Sequence, residues 1–510
     1  MPSLNFFASS PTMKFFAISR LICVTAWLTL SVRSAEQHSS LVIVIDGLRP
    51  DYITREIMPH LFALGEAGVI AEAHHSVFPT VTRVNSSSLA TGAYPREHGL
   101  MYNSLYLPEV SPKAIDTADA PALLAVEAST AGRLLTAPSV GELFTRADKK
   151  VLAIGSGSTG STLLLNHKAN SAGAALGVSH FSRPADLARR AEALLGPGPT
   201  TASSKQDAMR WAVDAYLEFG LKELRPDATY LWLTDPDGTA HRHGVGAPEV
   251  LAALRGADSQ LGRLLDTLMQ RGLRERVNIF VTADHGFSTH GGPANIPALL
   301  TSRGLAGGVK IVGPQLYVES GGDEKIRRIV ALLQETPWVG AIFTRAAEPG
   351  GSDGFVPGTL SLAAVHLQHA RAADIMVDPL WADAKNAHGY RGTTTAGGVA
   401  GHGSSSPYDI HIRLIAAGPA LKQGLRSSVP TGNIDLAVTL CHLHGMKPAP
   451  SMAGRVLTEL LREGPPAESV RVERTVHRVA TETAIGPYRI ELHRSRVGAT
   501  EYIDYTKTSR

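Results

Sequence analysis

Five short, nearly uninterrupted apolar and β-branched runs, at residues 41–45, 150–154, 228–233, 277–283 and 410–416, constrain this chain more than any other feature. A strand that is apolar on both faces needs cover on both sides, which a parallel sheet flanked by helices supplies. Helical patterns at 206–224 and 248–271 lie between the runs. Strands and helices alternating on this scale predict an α/β fold with a doubly wound, mostly parallel sheet. With 510 residues and 44% hydrophobic content, the chain can bury one large core with an insertion, or two smaller ones. The Ala/Gly-rich stretch 156–177 reads as loop and short helix.

Between 304 and 395 the pattern changes to short strands, 315–319 and 339–344, on either side of a helix at 324–334. This reads as an inserted α+β cap, since the main-sheet pattern resumes after Gly403. From 470 to 505 polar and apolar residues alternate, which predicts a small peripheral β extension at the C-terminus. The expected division is a signal peptide at 1–34, a catalytic core at 35–303 and 396–465, the cap at 304–395 and the extension at 466–510. Neither cap nor extension shows a catalytic cluster in the sequence.

The first residues read as a targeting segment, with Lys14 before a mostly apolar run at 21–32 and small residues Val32 and Ser34 before a cleavage point at Ala35. Either Met1 or Met13 can serve as the start, and an uncleaved anchor is the competing reading. Lys14, Arg20 and Arg33 leave with the leader, which changes a formal charge of +3 into a balance of 46 basic and 46 acidic residues. A neutral protein has no bulk field for a long polyanion, so nucleic acid is not expected as a main partner. Cys23 also falls in the leader, so Cys441 has no partner within the chain. An exported chain without disulfides fits a periplasmic or secreted location, with no stable membrane insertion once the leader is cleaved.

Chemistry-bearing residues follow the apolar runs. Asp46-Gly47 comes directly after the first, where a simple turn is the bland alternative. The segment FPTVTRVNSSSLATGAYPREHG, 78–99, opens a short helix that places Thr82 at its positive end, where an alkoxide is stabilised. Capping of that helix by Thr80 or Thr82 is the competing role. In WLTDPDGTAHRHG, Asp237 and His241 are spaced to converge on one ion, with Asp235 and His243 as rivals. VNIFVTADHG ends a buried run with Asp284 and His285, and AGGVAGHGSSS holds His402 in a glycine-rich loop. Each signal is modest alone. Together they supply oxygen and imidazole ligands for two metal ions with a nucleophile between them, as displacement at phosphorus demands.

In order and spacing these motifs resemble the type I phosphodiesterase/nucleotide pyrophosphatase family of the alkaline phosphatase superfamily, over residues 41–292 and 401–460. The resemblance implies an alkaline phosphatase-like sheet and two zinc ions per chain, other divalent metals being possible. Asp46, Thr82, Asp284 and His285 would surround one metal, and Asp237, His241 and His402 the other. Asn103, in HGLMYNSLY, matches the family's contact to a non-bridging phosphoryl oxygen. Where nucleotide pyrophosphatases continue with Phe-Pro-Asn-His, this chain has Arg83, Val84, Asn85 and Ser86. The aromatic that stacks on a nucleobase is therefore missing, and Arg83 is available to bind substrate phosphate or carboxylate, or simply to pack on the helix.

The expected function is that of an exported phosphoric ester hydrolase of the phosphodiesterase/pyrophosphatase type, in which Thr82 attacks phosphorus and forms a phosphothreonine that water then hydrolyses. Small phosphorylated compounds are the expected substrates. A phosphonoacetate hydrolase or phosphomonoesterase with the same site, a phosphoryl transferase, and a non-catalytic metal-binding protein are the alternatives. A sulfatase is disfavoured, because no Cys or Ser stands at the nucleophile position in a Cys/Ser-x-Pro-x-Arg pattern.

Overall fold

Strand Ser39–Ile45 runs through the middle of a ten-stranded sheet, in a computed structural model that describes residues 38–200 and 202–510. The expected leader at 1–34 lies outside the described residues. The strand pairs in parallel with Ala228–Leu233 on one side and Val277–Thr282 on the other. Ala228–Leu233 pairs in turn with Val151–Gly155, and that strand with Ala174–Gly177, again in parallel. Beyond Val277–Thr282 come His411–Ala417 and Val69–His75, both antiparallel to their inner neighbours. The result is the doubly wound, mostly parallel α/β sheet expected from the apolar runs.

The period of two along a strand explains why residues 41–45 are apolar at every position, since alternate side chains enter the cores on opposite faces of the sheet. Leu41, Ile43 and Ile45 join a core with Leu61, Trp211, Leu254 and Leu261 on one face of the sheet. Val42 and Val44 join another with Leu89, Phe144, Leu436 and Leu440 on the opposite face. Helices Pro59–Ala67, Lys205–Asp214 and Pro248–Gln270 cover the first face, and Thr82–Thr91, Val140–Arg146 and Asn433–Leu443 the second.

Three elements differ from the sequence expectation. Residues 156–177 hold the helix Thr159–Leu165 but end in a buried sheet strand, Ala174–Gly177, whose small residues carry little strand signal. Val69–His75 is also a strand, disguised by the polar sequence Glu72-Ala73-His74-His75. The helix expected at 206–224 is α-helical over Lys205–Asp214 and widens to a π-helix over Ala215–Leu224.

Residues 309–379 build a separate five-stranded sheet with helix Gly322–Gln334 against it. The C-terminal strands Glu473–Thr483, Gly486–Val497 and Thr500–Ser509 form an antiparallel sheet. Tyr488, Ile490, Leu492 and Ile503 of that sheet share a core with Leu316, Ile329, Phe343 and Ile375 of the five-stranded one. A further small sheet joins Trp381–Lys385 and Arg391–Thr394 to Ser288–His290 and Ala400–Gly401. It holds the loop of His402 next to the segment that follows His285. Among the described residues no helix is long and apolar enough to cross a membrane.

Candidate active site and metal centre

In open α/β sheets, ligands gather where the carboxyl ends of neighbouring strands meet. Here those ends deliver Asp46 after Ser39–Ile45, Asp284 and His285 after Val277–Thr282, and Asp237 at the start of the helix Asp237–His243 that follows Ala228–Leu233. His402 arrives from outside the sheet, just past Ala400–Gly401. The seven predicted positions with metal-binding roles are brought together, and six of them fall into two groups suited to a cation. Asp46, Asp284 and His285 form one and Asp237, His241 and His402 the other, each with ligand atoms within 4.8 Å of one another. Within them, His285 Nε2 is 3.0 Å from Asp284 Oδ2, and His241 Nε2 and His402 Nε2 are each 3.3 Å from Asp237 Oδ1.

The histidines are oriented by the backbone. Nδ1 of His241 lies 2.9 Å from the Ala400 carbonyl, Nδ1 of His285 3.0 Å from that of Gly286, and Nδ1 of His402 2.8 Å from that of Thr80. Each Nδ1–H therefore donates to a carbonyl, which turns the Nε2 of each ring toward the site. The carboxylates are held in the same manner. The Trp232 indole donates to Asp46 Oδ2 at 2.9 Å, and the Gly47 amide to Asp284 Oδ1 at 3.1 Å. Gly47 sits at φ +74°, where a Cβ would lie 3.2 Å from the Asp237 Cα, so a glycine is needed for this turn.

What remains is unpaired charge. Asp46 Oδ1, Asp237 Oδ1 and Asp284 Oδ2 are buried without a hydrogen-bond donor. Burial, reinforced by Asp284 and Asp237, raises the Asp46 carboxyl well above the ordinary carboxylate range. Burial and the charge of Asp237 push Asp284 up to about 6. Burial acts in the same direction on Asp237, but His241 and His402 overcome it and hold this carboxyl well below its ordinary value. Such a set of carboxylates is costly without a compensating cation.

Thr82 is the first residue of helix Thr82–Thr91, and its Oγ1 lies 3.4 Å from His285 Nε2. Neither Thr80 nor Thr82 caps the helix through its side chain. Arg83 is half-buried, with Nε donating to the Thr117 carbonyl at 3.3 Å. Burial lowers its pKa, while Asp46, Asp116, Asp237 and Asp284 act against that, which puts the guanidinium in the field of the carboxylate cluster. Asn103 accepts the Arg83 backbone N–H through Oδ1 at 3.0 Å, and its amide nitrogen has no protein acceptor among the described residues. The rival ligands point elsewhere. Asp235 accepts from Thr239 Oγ1 at 3.0 Å and faces Lys205, and His243 lies 3.8 Å from Glu249.

Several supporting residues were not singled out in the sequence. Thr80 donates to the Ser404 carbonyl at 2.8 Å and accepts the Gly403 N–H at 3.0 Å, which fixes the His402 loop against the segment that carries Thr82. Asn433 bonds Asn85 Oδ1 at 3.1 Å and the Ala283 carbonyl at 3.0 Å, tying the Thr82 helix to the strand end that carries Asp284. Only the polar run within helix 82–91 hinted at such a network, because its partners are mostly backbone groups. A cavity of about 380 Å³ opens beside His402, with Tyr102, Trp338 and His290 in its wall.

Fold and site together define an α/β protein with an alkaline phosphatase-like sheet that carries two cation-ready ligand groups at its strand ends, one of them beside the Thr82 hydroxyl. The type I phosphodiesterase/nucleotide pyrophosphatase family model matches residues 40–314, and the chain belongs to that family. It is 26% identical over 266 residues to venom phosphodiesterase 2 of Crotalus adamanteus, covering 52% of this chain and 28% of that protein. It is 22% identical over 435 residues to ectonucleotide pyrophosphatase/phosphodiesterase family member 1 of Mus musculus, covering 82% of this chain and 42% of the relative. The chain thus spans less than half the length of these two relatives. Among solved structures, murine ectonucleotide pyrophosphatase/phosphodiesterase 5 superposes with a TM-score of 0.59 at 18% identity, covering 83% of this chain and all of that one. An inactive variant of the same murine protein is known in complex with AMP, with the same TM-score of 0.59.

Proposed function

We propose that the chain is an exported, metal-dependent hydrolase of phosphoric diesters or pyrophosphates that works through a phosphothreonine at Thr82. The observation that carries this reading is the gathering of three buried, donorless carboxylate oxygens and three imidazoles into two ligand groups, one of which lies 3.4 Å from the Thr82 hydroxyl through His285 Nε2. That donor set, three carboxylates and three imidazoles, suits two zinc ions, though other divalent metals share the preference. Asp46, Asp284 and His285 with Thr82 would hold one, and Asp237, His241 and His402 the other. When bound, such ions supply Lewis-acid stabilisation of the charge that develops at phosphorus.

The chain's own groups do the rest. The N-terminus of helix Thr82–Thr91 favours negative charge on Oγ1. Thr82 Oγ1 forms a bond to phosphorus while the bond to the leaving oxygen breaks; that oxygen departs with the electron pair and takes up, through solvent, the proton that the Thr82 hydroxyl gives up. Water then cleaves the phosphothreonine and restores the hydroxyl. Asn103, fixed through Oδ1 on the Arg83 N–H, presents its amide nitrogen to a non-bridging phosphoryl oxygen. The cavity walled by Tyr102 and Trp338 would take the remainder of the substrate. Small phosphorylated compounds fit this site, and the AMP bound by a structural relative is of that kind. The secreted and cell-surface character in the relatives' names supports a periplasmic or extracellular location.

A second reading, hydrolysis of dianionic monoesters or carboxylated phosphonates, is favoured by one observation: the Arg83 guanidinium stands in the field of the cluster, with only its Nε engaged. The test is a panel of an aryl diester, an aryl monoester, a pyrophosphate and a phosphonate on zinc-loaded protein, run with Thr82→Ala. Turnover should fall by on the order of 10³-fold or more in that variant, with melting temperature and zinc content nearly unchanged, because three ligands of that group remain. A trapped phosphopeptide should map to Thr82. An adduct at any other residue, or full activity in Thr82→Ala, would overturn the mechanism.

A further inference from the structure

Away from this site, three elements distant in sequence bring together two histidines and an aspartate. His75 ends the strand Val69–His75, and His411 begins the strand His411–Ala417. The two are register partners in the antiparallel pair, so their side chains leave the sheet side by side, with ring centroids 4.9 Å apart. Asp504, on the last strand, reaches across from the C-terminal sheet and places Oδ1 2.9 Å from His75 Nε2. One ligand atom from each of the three lies within 4.8 Å of the others.

The hydrogen bonds around this cluster repeat those of the main site. His75 Nδ1 lies 2.8 Å from the Thr431 carbonyl, the same Nδ1–H to backbone arrangement seen at His241, His285 and His402. In a neutral ring this leaves a lone pair on Nε2 facing the Asp504 carboxylate, two acceptors that repel unless a cation lies between them. Asp504 is itself oriented, since Ser495 Oγ donates to its Oδ2 at 2.8 Å. Neither ring nitrogen of His411 has a hydrogen-bond partner among the described residues. The cluster also borders a cavity of about 320 Å³, wide enough for an ion and its water to enter. Of the arginines in that wall, Arg494 is already paired with Glu501 at 3.1 Å.

We propose that His75, His411 and Asp504 form a third divalent-cation site, of the zinc type, that ties the C-terminal sheet to the central sheet. Two imidazoles and one carboxylate with a water in the fourth position match the ligand set that zinc takes in proteins. The hydrogen bonds of Thr431 and Ser495 supply the outer support such ligands require. A cation here accounts for all three side chains at once. A protonated His75 paired with Asp504 is the competing account, and it leaves the placement of His411 without a role.

The site shares no residue with the catalytic groups, so its occupancy can be measured apart from turnover. Zinc-loaded wild-type protein should hold three zinc ions per chain after gel filtration, and His411→Asn or Asp504→Asn should hold two. The zinc-dependent rise in melting temperature should shrink in both variants, while metal-stripped wild type and His411→Asn melt together, because His411 has no hydrogen bond to lose. Equal zinc content and an equal zinc-dependent rise in wild type and His411→Asn would overturn the proposal. Should both variants fail to fold, zinc anomalous scattering from wild-type crystals decides. A peak among His75, His411 and Asp504 is expected, and peaks confined to the other two groups would refute the site.

Discussion

Replacing Arg83 by alanine tests how the site chooses between substrates of different charge. Arg83 follows the nucleophile directly, and of its guanidinium only Nε has a protein acceptor, the Thr117 carbonyl at 3.3 Å. A diester brings one negative charge to the reacting phosphorus, which the two proposed metal ions and Asn103 would meet. A monoester or carboxylated phosphonate brings at least one more. A charge-assisted hydrogen bond from the free end of Arg83 to that extra charge contributes about 1.5–3 kcal/mol. At about 1.4 kcal/mol per tenfold, the loss in kcat/KM for dianionic substrates should be roughly ten- to two-hundred-fold. The loss for an aryl diester should be a few-fold at most, and diesters should remain the better substrates of the wild type because Asn103 is present. Assays need saturating zinc, because removing a cation from the field of Asp46, Asp237 and Asp284 also changes how tightly those carboxylates hold metal. The Thr117 contact that is lost is a single peripheral bond, so the melting temperature should drop only slightly. Equal losses on both substrate classes would show that Arg83 serves structure or general binding and would refute the selectivity argument.

Two further outcomes follow from the carboxylates. Asp237→Asn removes the charge that both His241 Nε2 and His402 Nε2 approach at 3.3 Å, so zinc titration should show one of the catalytic ions weakened far more than the other. Equal weakening of both would mean that the two groups do not act as separate sites. The second outcome concerns pH. Without a cation, burial and the charge of Asp237 push the Asp284 carboxyl up to about 6, above the ordinary carboxylate range, so the fold carries an extra proton between about pH 4 and 6. Its contribution to stability is present below that window and is lost as pH rises through about 6. Zinc must displace this proton, so the zinc-induced rise in melting temperature should be small at pH 5 and full by pH 7. A rise that stays constant from pH 5 to 7 would refute the assignment.

How far the sequence discloses such a protein depends on how local each signal is. The central strands are legible because a strand covered on both faces is apolar nearly throughout, as residues 41–45 are at every position and 228–233 are apart from Thr229. Ala174–Gly177 and Val69–His75 escaped because small residues in one case and Glu72, His74 and His75 in the other break that signature. His74 is fully buried, and it is tolerated in the sheet because Thr431 Oγ1 at 2.7 Å and Asn433 Oδ1 at 3.2 Å satisfy its ring. No sequence pattern shows that satisfaction in advance, because both partners lie more than 350 positions away.

The same distinction separates the proposed catalytic ligands from the third cluster. Asp46, Asp237, Asp284 and His285 each stand within a few residues of a buried strand end, so strand signal and ligand type coincide and mark them together. His75, His411 and Asp504 coincide with nothing local. His75 and Asp504 are separated by 429 positions and meet only because the C-terminal sheet folds back beside the edge of the central one. What links the two kinds of site is the backbone: four histidines, 75, 241, 285 and 402, each direct Nδ1 at a carbonyl within 3.0 Å and leave Nε2 for a neighbouring carboxylate. Peptide carbonyls are the same whatever residue carries them, so this device is written in the fold and not in the residue types. A search for metal sites in chains of this kind gains more from asking which imidazoles have Nδ1 fixed by the backbone than from asking which stand near one another in sequence.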